Sequence, residues 1–274
     1  MPQTTRYFVT LRAAACCFKR FYMTEFVISE KWYYFIIAAA VCYLVGCFNF
    51  AVIISQFKNR DIRGVGSGNP GTMNMMRTFG LKIGIINFFC DALKGGLPVL
   101  AVYFVFRNSV FAGTAVNVAD VMRYWCGLFV VIGHIFPVTM KFKGGKGIAS
   151  TLGLFWVALS CEQWWYVFIG FGVCILVFIY IAISEWGSMG SLLGVSAFSI
   201  WQAVEFYFEY SGVLANGWVV LCFMLLLAIN LFTWIAHHKN LYKLLGGEEH
   251  RTSIKRMINK KLKKKDPPAS GQSA

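Results

Sequence analysis

Seven apolar runs separated by polar connections make up most of the 274-residue chain. They cover about residues 32–57, 83–106, 124–140, 148–161, 163–184, 188–204 and 218–236. A helix needs ~20 apolar residues to cross a bilayer, and all the runs except the shorter 148–161 approach that length. The pattern therefore predicts an all-α integral membrane protein with seven transmembrane helices.

Polar clusters follow the first, third, fifth and seventh runs, so all of them fall on one side of the membrane. That side carries eighteen Lys and Arg residues, against seven on the opposite side. Because basic loops are retained in the cytoplasm, we expect the clusters and the C-terminus to be cytoplasmic and the N-terminus to lie outside. This orientation depends on the short 148–161 run, since its loss would change the parity.

The composition agrees with a membrane protein. Only 14% of the residues are charged and 58% are hydrophobic, whereas soluble domains carry roughly 25% charged residues. The net charge of +14 is better explained by basic loops that contact anionic lipid than by binding to nucleic acid. Most of the nine cysteines lie inside apolar runs, without metal-ligand spacing, and are interpreted as small apolar residues.

The chain divides into three parts. Residues 1–31 form an N-terminal extension, within which Met23 offers a second start, so residues 1–22 are either a translation artefact or dispensable. Residues 32–250 form the membrane domain. Residues 251–274 form a basic cytoplasmic tail whose apolar positions follow helical spacing among lysines, which indicates a segment lying on anionic lipid.

The segment 133–147, GHIFPVTMKFKGGKG, is the most informative polar stretch. Its glycines allow backbone N–H groups to approach a ligand, and Lys143 and Lys146 supply positive charge, so it suits a phosphate. It is not a P-loop, because no strand precedes it and GKG replaces GK[ST]. Three roles fit His134: a general base, a donor to phosphate, or an interfacial histidine.

Four further clusters accompany this loop. GVGSGNPGTMNMMRTFG (64–80) offers hydroxyl, amide and guanidinium donors. In DALKGGLP, Asp91 and Lys94 share one helix face inside an apolar run, which indicates either a site or an internal ion pair. SMGS (188–191) begins a run, and HHKNLYKLLGGEE (237–249) follows the last one.

Together these five clusters, in this order, resemble the bacterial acyl-phosphate:glycerol-3-phosphate acyltransferases, the PlsY family, over about residues 32–250. The resemblance implies seven helices in the bacterial inner membrane with the active site facing the cytoplasm. It implies acyl transfer from acyl-phosphate to the sn-1 hydroxyl of glycerol 3-phosphate, giving lysophosphatidic acid and phosphate in phospholipid synthesis. It also implies a soluble phosphate acyltransferase that supplies the donor, and no cofactor.

The site residues follow from these matches. The expected catalytic residues are Ser67, Arg77, His134, Lys146 and Asn240. The expected substrate-binding residues are Gly68, Asn69, Gly71, Asn74, Asp91, Lys94, Lys143, Gly144, Gly145, Gly147, Ser188, Ser191, His237, Lys243 and Glu249. Two phosphate anions require fixed positive charge and aimed donors, so no metal is expected. The proton of the attacking hydroxyl goes either to His134 or to the donor phosphate.

Two positions depart from the family pattern. Glu185 stands where the family usually has Arg or Lys, and Lys243 stands where it usually has Arg. Two other classes of membrane protein fit the sequence less well. A lipid or organophosphate transporter is disfavoured because the halves show no internal repeat. An acyl-CoA-dependent acyltransferase of the H-x-x-x-x-D type is disfavoured because none of the four histidines has Asp five residues on.

Overall fold

The computed structural model describes residues 23–247. The predictions about residues 1–22, Glu249 and the tail 251–274 therefore lie outside the described part. Within it the chain forms eleven α-helices and two short strands. They are β1 (Thr24–Phe26), α1 (Ile28–Lys31), α2 (Tyr33–Cys47), α3 (Phe50–Phe57), α4 (Thr72–Phe79), α5 (Leu81–Phe106), β2 (Ser109–Phe111), α6 (Val118–Ile135), α7 (Ile148–Glu162), α8 (Tyr166–Ser184), α9 (Gly187–Glu209), α10 (Gly217–Ala236) and α11 (His238–Leu245).

Every predicted apolar run forms helix, and the first is broken. The chain leaves helical geometry at Phe48 and Asn49, and the Asn49 side chain caps α3 by accepting a hydrogen bond from the N–H of Val52 at 3.1 Å. The break turns the carbonyl oxygens of Gly46 and Phe48 toward Lys94. A buried ammonium thus finds oxygen partners at a depth where water is scarce.

Helix α6 begins at Val118, six residues before the predicted run. Asp120 and Arg123, which precede the predicted apolar run at 124–140, therefore belong to a helix. Arg123 is fully buried and donates to the carboxylates of Asp120 and Glu162 and to the carbonyl of Ala158. Because these charged side chains lie away from water, each needs a partner of opposite charge.

Residues that were assigned to the N-terminal extension also pack onto the domain. Strand β1 pairs in parallel with β2, with Thr24 opposite Ser109. Phe26 is buried, and its ring meets those of Phe106 and Phe111 at centroid distances of 5.9 and 5.8 Å. This small sheet is an addition to the predicted all-α architecture.

Glycines bring helix backbones into direct contact. A Cβ atom on Gly153 of α7 would lie 2.0 Å from the carbonyl oxygen of Ala92 in α5, and one on Gly95 would lie 2.0 Å from that of Ser150. Small residues allow this close packing between helices in membranes. The contact places the charged pair of α5 beside the beginning of α7.

The long helices expose many large apolar side chains on their outer faces. On α8 the exposed side chains include Phe168, Leu176 and Ile183, which is 79% exposed. Large apolar residues on an outer face fit contact with lipid. In the described part, five helical segments are long and apolar enough to cross a membrane, whereas α7 is shorter, with 15 residues. These segments are Tyr33–Phe57, Leu81–Phe106, Val118–Met140, Tyr166–Ser184 and Gly217–Ala236.

Candidate active site

All five polar clusters meet at one cavity of about 1100 Å³. The expectation that they share one side is met to this extent. Eighteen of the twenty expected site residues line the cavity. They are Ser67, Gly68, Asn69, Gly71, Asn74, Arg77, Asp91, His134, Lys143, Gly144, Gly145, Lys146, Gly147, Ser188, Ser191, His237, Asn240 and Lys243.

Among the described residues that entered the expectations, Lys94 and Glu185 are not on this wall. Lys94 is buried behind it, as described below. Glu249 lies outside the described residues. Glu185, the first departure from the family pattern, is half-buried at the end of α8 and does not line the cavity. The second departure, Lys243, does line it.

The conformation of the 64–80 cluster is held by Asn74. Its Oδ1 accepts from the N–H of Ser67 at 3.1 Å, and its Nδ2 donates to the carbonyls of Val65 and Ile62 at 2.9 and 3.3 Å. These three bonds use most of the hydrogen-bonding capacity of the amide. Asn74 therefore holds the loop in shape, and the Ser67 hydroxyl stays at an exposed position on the cavity wall.

Gly144 and Gly145 pack back against the end of α6. The N–H groups of Gly144 and Gly145 donate to the carbonyls of Ile135 and His134, both at 3.1 Å. A Cβ on Gly144 would lie 2.1 Å from the His134 carbonyl oxygen, so only glycine permits this approach. These two N–H groups are thus engaged within the protein and are not the phosphate donors that the glycine pattern suggested.

Free N–H groups are instead provided by the beginning of α7. Gly147 precedes this helix with a φ of +80°, a left-handed conformation that favours glycine. Gly147, Ile148 and Ala149 line the cavity, and the first N–H groups of a helix have no partner within it. With half-buried Lys146 beside it, this helix end suits an anion.

Behind the loop lies a charged cluster of Asp91, Lys94 and His134. Lys94 Nζ is 2.8 Å from His134 Nδ1, 2.7 Å from the Phe48 carbonyl oxygen and 3.2 Å from Asp91 Oδ1. Asp91 Oδ2 in turn accepts from Asn87 at 3.1 Å. The two interpretations given to the Asp91 and Lys94 pair therefore both apply in part: it is an internal ion pair, and it contacts a residue of the cavity wall.

Hydrogen bonds of Asn240 and His237 join α9, α10 and α11 at the cavity. Asn240 Nδ2 donates to Ser188 Oγ at 2.6 Å. His237 Nδ1 is 2.8 Å from the carbonyl oxygen of Thr233, and since a carbonyl only accepts, Nδ1 carries the proton and Nε2 is the acceptor. Burial, together with the charge of Lys146, lowers the pKa of His237 to about 4. His237 is therefore neutral at physiological pH.

The inner wall is apolar, and the sequence did not reveal it. The residues lie on α5, α7 and α8, and the rings of Phe88 and Phe178 meet at 5.4 Å between centroids. The lining residues of α8 have helical spacing. Because α8 is apolar on every side, however, no difference between polar and apolar faces marked them in the sequence. The apolar lining is formed by Phe88, Leu152, Cys174, Val177, Phe178 and Ile181.

The electrostatics of the wall favour anions. Seven basic side chains line the cavity, and among the described residues Asp91 is the one acidic residue on it. The cavity wall therefore combines a basic part with an apolar part, which suits an amphiphile with an anionic head. The basic residues are Arg63, Arg77, Lys141, Lys143, Lys146, Lys239 and Lys243.

Comparison with known proteins identifies relatives along most of the chain. The glycerol-3-phosphate acyltransferase family model matches residues 36–247. A glycerol-3-phosphate acyltransferase of Mycoplasma pneumoniae is 32% identical over 235 residues, which cover 80% of this chain and 94% of the relative. Another, of Mycoplasmopsis pulmonis, is 37% identical over 217 residues, covering 76% and 88%.

The fold is similar to that of PlsY, an integral membrane glycerol 3-phosphate acyltransferase. Its crystal structure in the glycerol 3-phosphate form superposes with a TM-score of 0.61 at 25% identity, covering 82% of this chain and 98% of PlsY. The lysophosphatidic acid form gives a TM-score of 0.60 at 26% identity. The family model matches most of the chain, the helices are long and apolar, and the fold is similar to that of PlsY. The chain therefore belongs to the PlsY family of membrane-embedded glycerol-3-phosphate acyltransferases.

Proposed function

We propose that this enzyme transfers a fatty acyl group from acyl-phosphate to the sn-1 hydroxyl of glycerol 3-phosphate. The products are lysophosphatidic acid and inorganic phosphate. The observation that carries the proposal is the continuity of a basic, donor-rich cavity end with an apolar inner wall. Such a cavity accommodates a phosphate head and an acyl chain in one amphiphile, with room beside the head for a second anion.

The beginning of α7 is the proposed site of the acyl-phosphate head. Lys143 and Lys146 supply charge there, and the free N–H groups from Gly147 onward supply donors. The chain then extends along Phe88 and Phe178. Glycine pair 144–145 contributes by positioning this loop against α6 through its two backbone bonds.

Glycerol 3-phosphate is proposed to lie between the 64–80 cluster and the ends of α9 and α11, which Ser188 and Asn240 join. The crystal structure of PlsY in its glycerol 3-phosphate form supports binding of this molecule in a related fold. Most of the proposed contacts are donors, as a dianion requires. They are Ser67, Arg77, Ser188, His237, Asn240 and Lys243.

The reaction joins the hydroxyl oxygen of glycerol 3-phosphate to the acyl carbonyl carbon and breaks the bond from that carbon to the phosphate oxygen. Phosphate leaves with both electrons of the broken bond. The hydroxyl proton goes to His134 or to an oxygen of the departing phosphate. Because the donor is already activated, positioning and stabilisation of developing negative charge by Lys146 and α7 carry most of the rate.

The membrane arrangement is part of the proposal. Residues 32–250 cross the bacterial inner membrane seven times, with the N-terminus outside and the cavity and basic tail 251–274 in the cytoplasm. The excess of Lys and Arg around the cavity supports this orientation. A cytoplasmic cavity is also accessible to the soluble phosphate acyltransferase that would deliver acyl-phosphate. Cysteine labelling of Lys58→Cys and Asn108→Cys in intact cells tests it, since only the second is expected to react from outside.

Product identification tests the chemistry. Purified enzyme in liposomes is given palmitoyl phosphate and labelled glycerol 3-phosphate, and lipids are separated and analysed by mass spectrometry. We expect 1-palmitoyl-glycerol 3-phosphate. Labelled glycerol 3-phosphate that binds without forming any ester would contradict the proposal, provided that the protein is folded by its thermal unfolding profile.

A further inference from the structure

Lys94 and His134 form a contact that the proposed reaction leaves without a role. The Nζ and Nδ1 atoms are 2.8 Å apart, and both side chains are at least 95% buried. Lys94 does not line the cavity, whereas His134 does. Lys94 thus reaches the cavity through two neighbours on its wall, Asp91 and the imidazole of His134.

The surroundings of Lys94 define what it donates. Besides His134 Nδ1, its Nζ is within 3.3 Å of the carbonyl oxygens of Gly46 and Phe48 and of Asp91 Oδ1. All four neighbours are acceptors, and an ammonium has three hydrogens and no lone pair. A neutral amine would supply fewer hydrogens to the same oxygens and leave the Asp91 carboxylate without a counter-charge.

The tautomer of His134 follows from this arrangement. An ammonium cannot accept a hydrogen bond, so Nδ1 contributes its lone pair, and the ring proton of the neutral imidazole resides on Nε2. Nε2 lies against Gly145, where a Cβ would come within 2.3 Å of it. No hydrogen-bond partner of Nε2 is found among residues 23–247. A buried donor is therefore held at the cavity wall beside the beginning of α7.

We propose that Lys94 is a positioning residue that fixes His134 as the Nε2–H tautomer, so that His134 donates a hydrogen bond to an oxygen of the phosphoryl or acyl group bound in the cavity. The inference rests on the proposed function and deepens it. It assigns His134 to binding and charge stabilisation and excludes it as the base. A donor already aimed and desolvated needs no reorganisation when negative charge develops.

His237 shows the opposite arrangement on the same cavity. Its Nδ1 donates to the Thr233 carbonyl, which leaves the Nε2 lone pair as an acceptor. The two histidines therefore present complementary groups, a donor from His134 and an acceptor from His237. Complementary groups suit a site that binds an anion together with a hydroxyl.

The tautomer can be measured without any substrate. Long-range ¹H–¹⁵N correlation spectra of protein labelled with ¹⁵N-histidine in bilayers distinguish protonated from unprotonated ring nitrogens. His134→Gln assigns the signal by its loss. We expect wild-type His134 to carry its proton on Nε2, and Lys94→Met to give a mixture of tautomers. A proton on Nδ1 in the wild type would overturn the proposal, whether or not the enzyme transfers acyl groups.

Two substitutions at His134 separate the donor role from the base role while Lys94 stays intact. The amide nitrogen of Gln reaches the place of Nε2, whereas the amide of Asn ends at the place of Nδ1. We expect His134→Gln to retain at least tenfold more kcat than His134→Asn, with similar KM for glycerol 3-phosphate. Neither amide is a base, so equal and complete loss of turnover in both variants would contradict the donor role.

Lys94→Met is the direct test of the positioning role, and it leaves Asp91 unpaired. The double variant Asp91→Asn/Lys94→Met removes both charges and guards against misfolding. We expect both variants to lose kcat by about 100-fold with little change in KM, in line with misplacement of one group. Normal kcat in a folded variant without the Lys94 ammonium would overturn the proposal.

Discussion

Gly145 lies directly against the ring of His134. Its N–H donates to the His134 carbonyl at 3.1 Å, and a Cβ on it would come 2.3 Å from Nε2. The absence of a side chain at one residue thus allows the ring of another to face the cavity. This contact joins the glycine–lysine loop to the end of α6 and fixes the geometry of the proposed phosphate site.

Replacing this glycine should therefore impair catalysis. We expect Gly145→Ala to displace the ring and to lower kcat/KM by about 100-fold, as misplacement of a group by ~1 Å can do. Gly172→Ala is the matched control, because that helical glycine has open space around it. The control should keep full activity. Steady-state kinetics of the two variants test the contact, and equal activities would argue against it.

Lys146 should be the most important cation of the loop. It is half-buried on the cavity wall beside the beginning of α7, so its charge acts in a partly desolvated site. We expect Lys146→Met to lower kcat/KM by about 1000-fold, the upper range for loss of one charge-stabilising donor. Lys82→Met removes an exposed charge away from the cavity and should be near normal. Activity of Lys146→Met within threefold of wild type would disprove this role.

His237 should titrate far below an ordinary histidine. Burial, reinforced by Lys146, lowers its pKa to about 4, so the free enzyme should keep it neutral down to about pH 5. Lys146→Met removes one of the two causes and should raise the pKa of His237. NMR titration of the ¹⁵N-labelled imidazole measures both. A wild-type midpoint near 6.5 would contradict this assignment.

The same shift makes stability depend on pH. In the unfolded chain a histidine has a pKa of about 6.5, so the unfolded state binds the proton first as the pH falls. The contribution of neutral His237 is complete above about pH 6.5 and is lost as the pH falls toward 4. Linkage gives a loss of about 3 kcal/mol. Thermal unfolding of wild type and His237→Gln at pH 7 and pH 4.5 measures it, since the variant should lose less.

The buried cluster around Arg123 should stabilise the fold without touching the substrates. Arg123→Met leaves the carboxylates of Asp120 and Glu162 unpaired. Removing one partner of a buried ion pair costs about 3–5 kcal/mol. Arg107→Met, at an exposed position, is the control. We expect a lower unfolding temperature for Arg123→Met alone, with unchanged KM for glycerol 3-phosphate. A large rise in KM would place Arg123 in the site instead.

The sequence predicted the helices and the composition of the cavity well, because both depend on local patterns. Apolar runs specify helices wherever backbone groups need internal partners. The five polar clusters, which lie far apart in the chain, meet at one cavity. Residues such as Ser67 and Asn240 could be named because polar segments between the apolar runs of a membrane protein stand out against their neighbours.

Other features depend on contacts between distant segments and left no local signal. The break at Phe48 lies in an apolar run, and its meaning appears only when Lys94 arrives from α5. Arg123 lies outside the predicted apolar runs, and its partner Glu162 comes from the end of another helix. Asn74 was expected as a substrate contact, and the bonds by which it also holds the loop together are visible only in the fold. In each case the partner, and not the residue type, decides the role.

Acyl transfer from acyl-phosphate is tested most directly by phosphate release. Purified enzyme receives glycerol 3-phosphate with palmitoyl phosphate, and a parallel reaction contains palmitoyl-CoA instead. We predict phosphate release that requires both substrates, equals the lysophosphatidic acid formed, and is absent from the CoA reaction. Product from palmitoyl-CoA, or binding of glycerol 3-phosphate without turnover on either donor, would contradict the central claim.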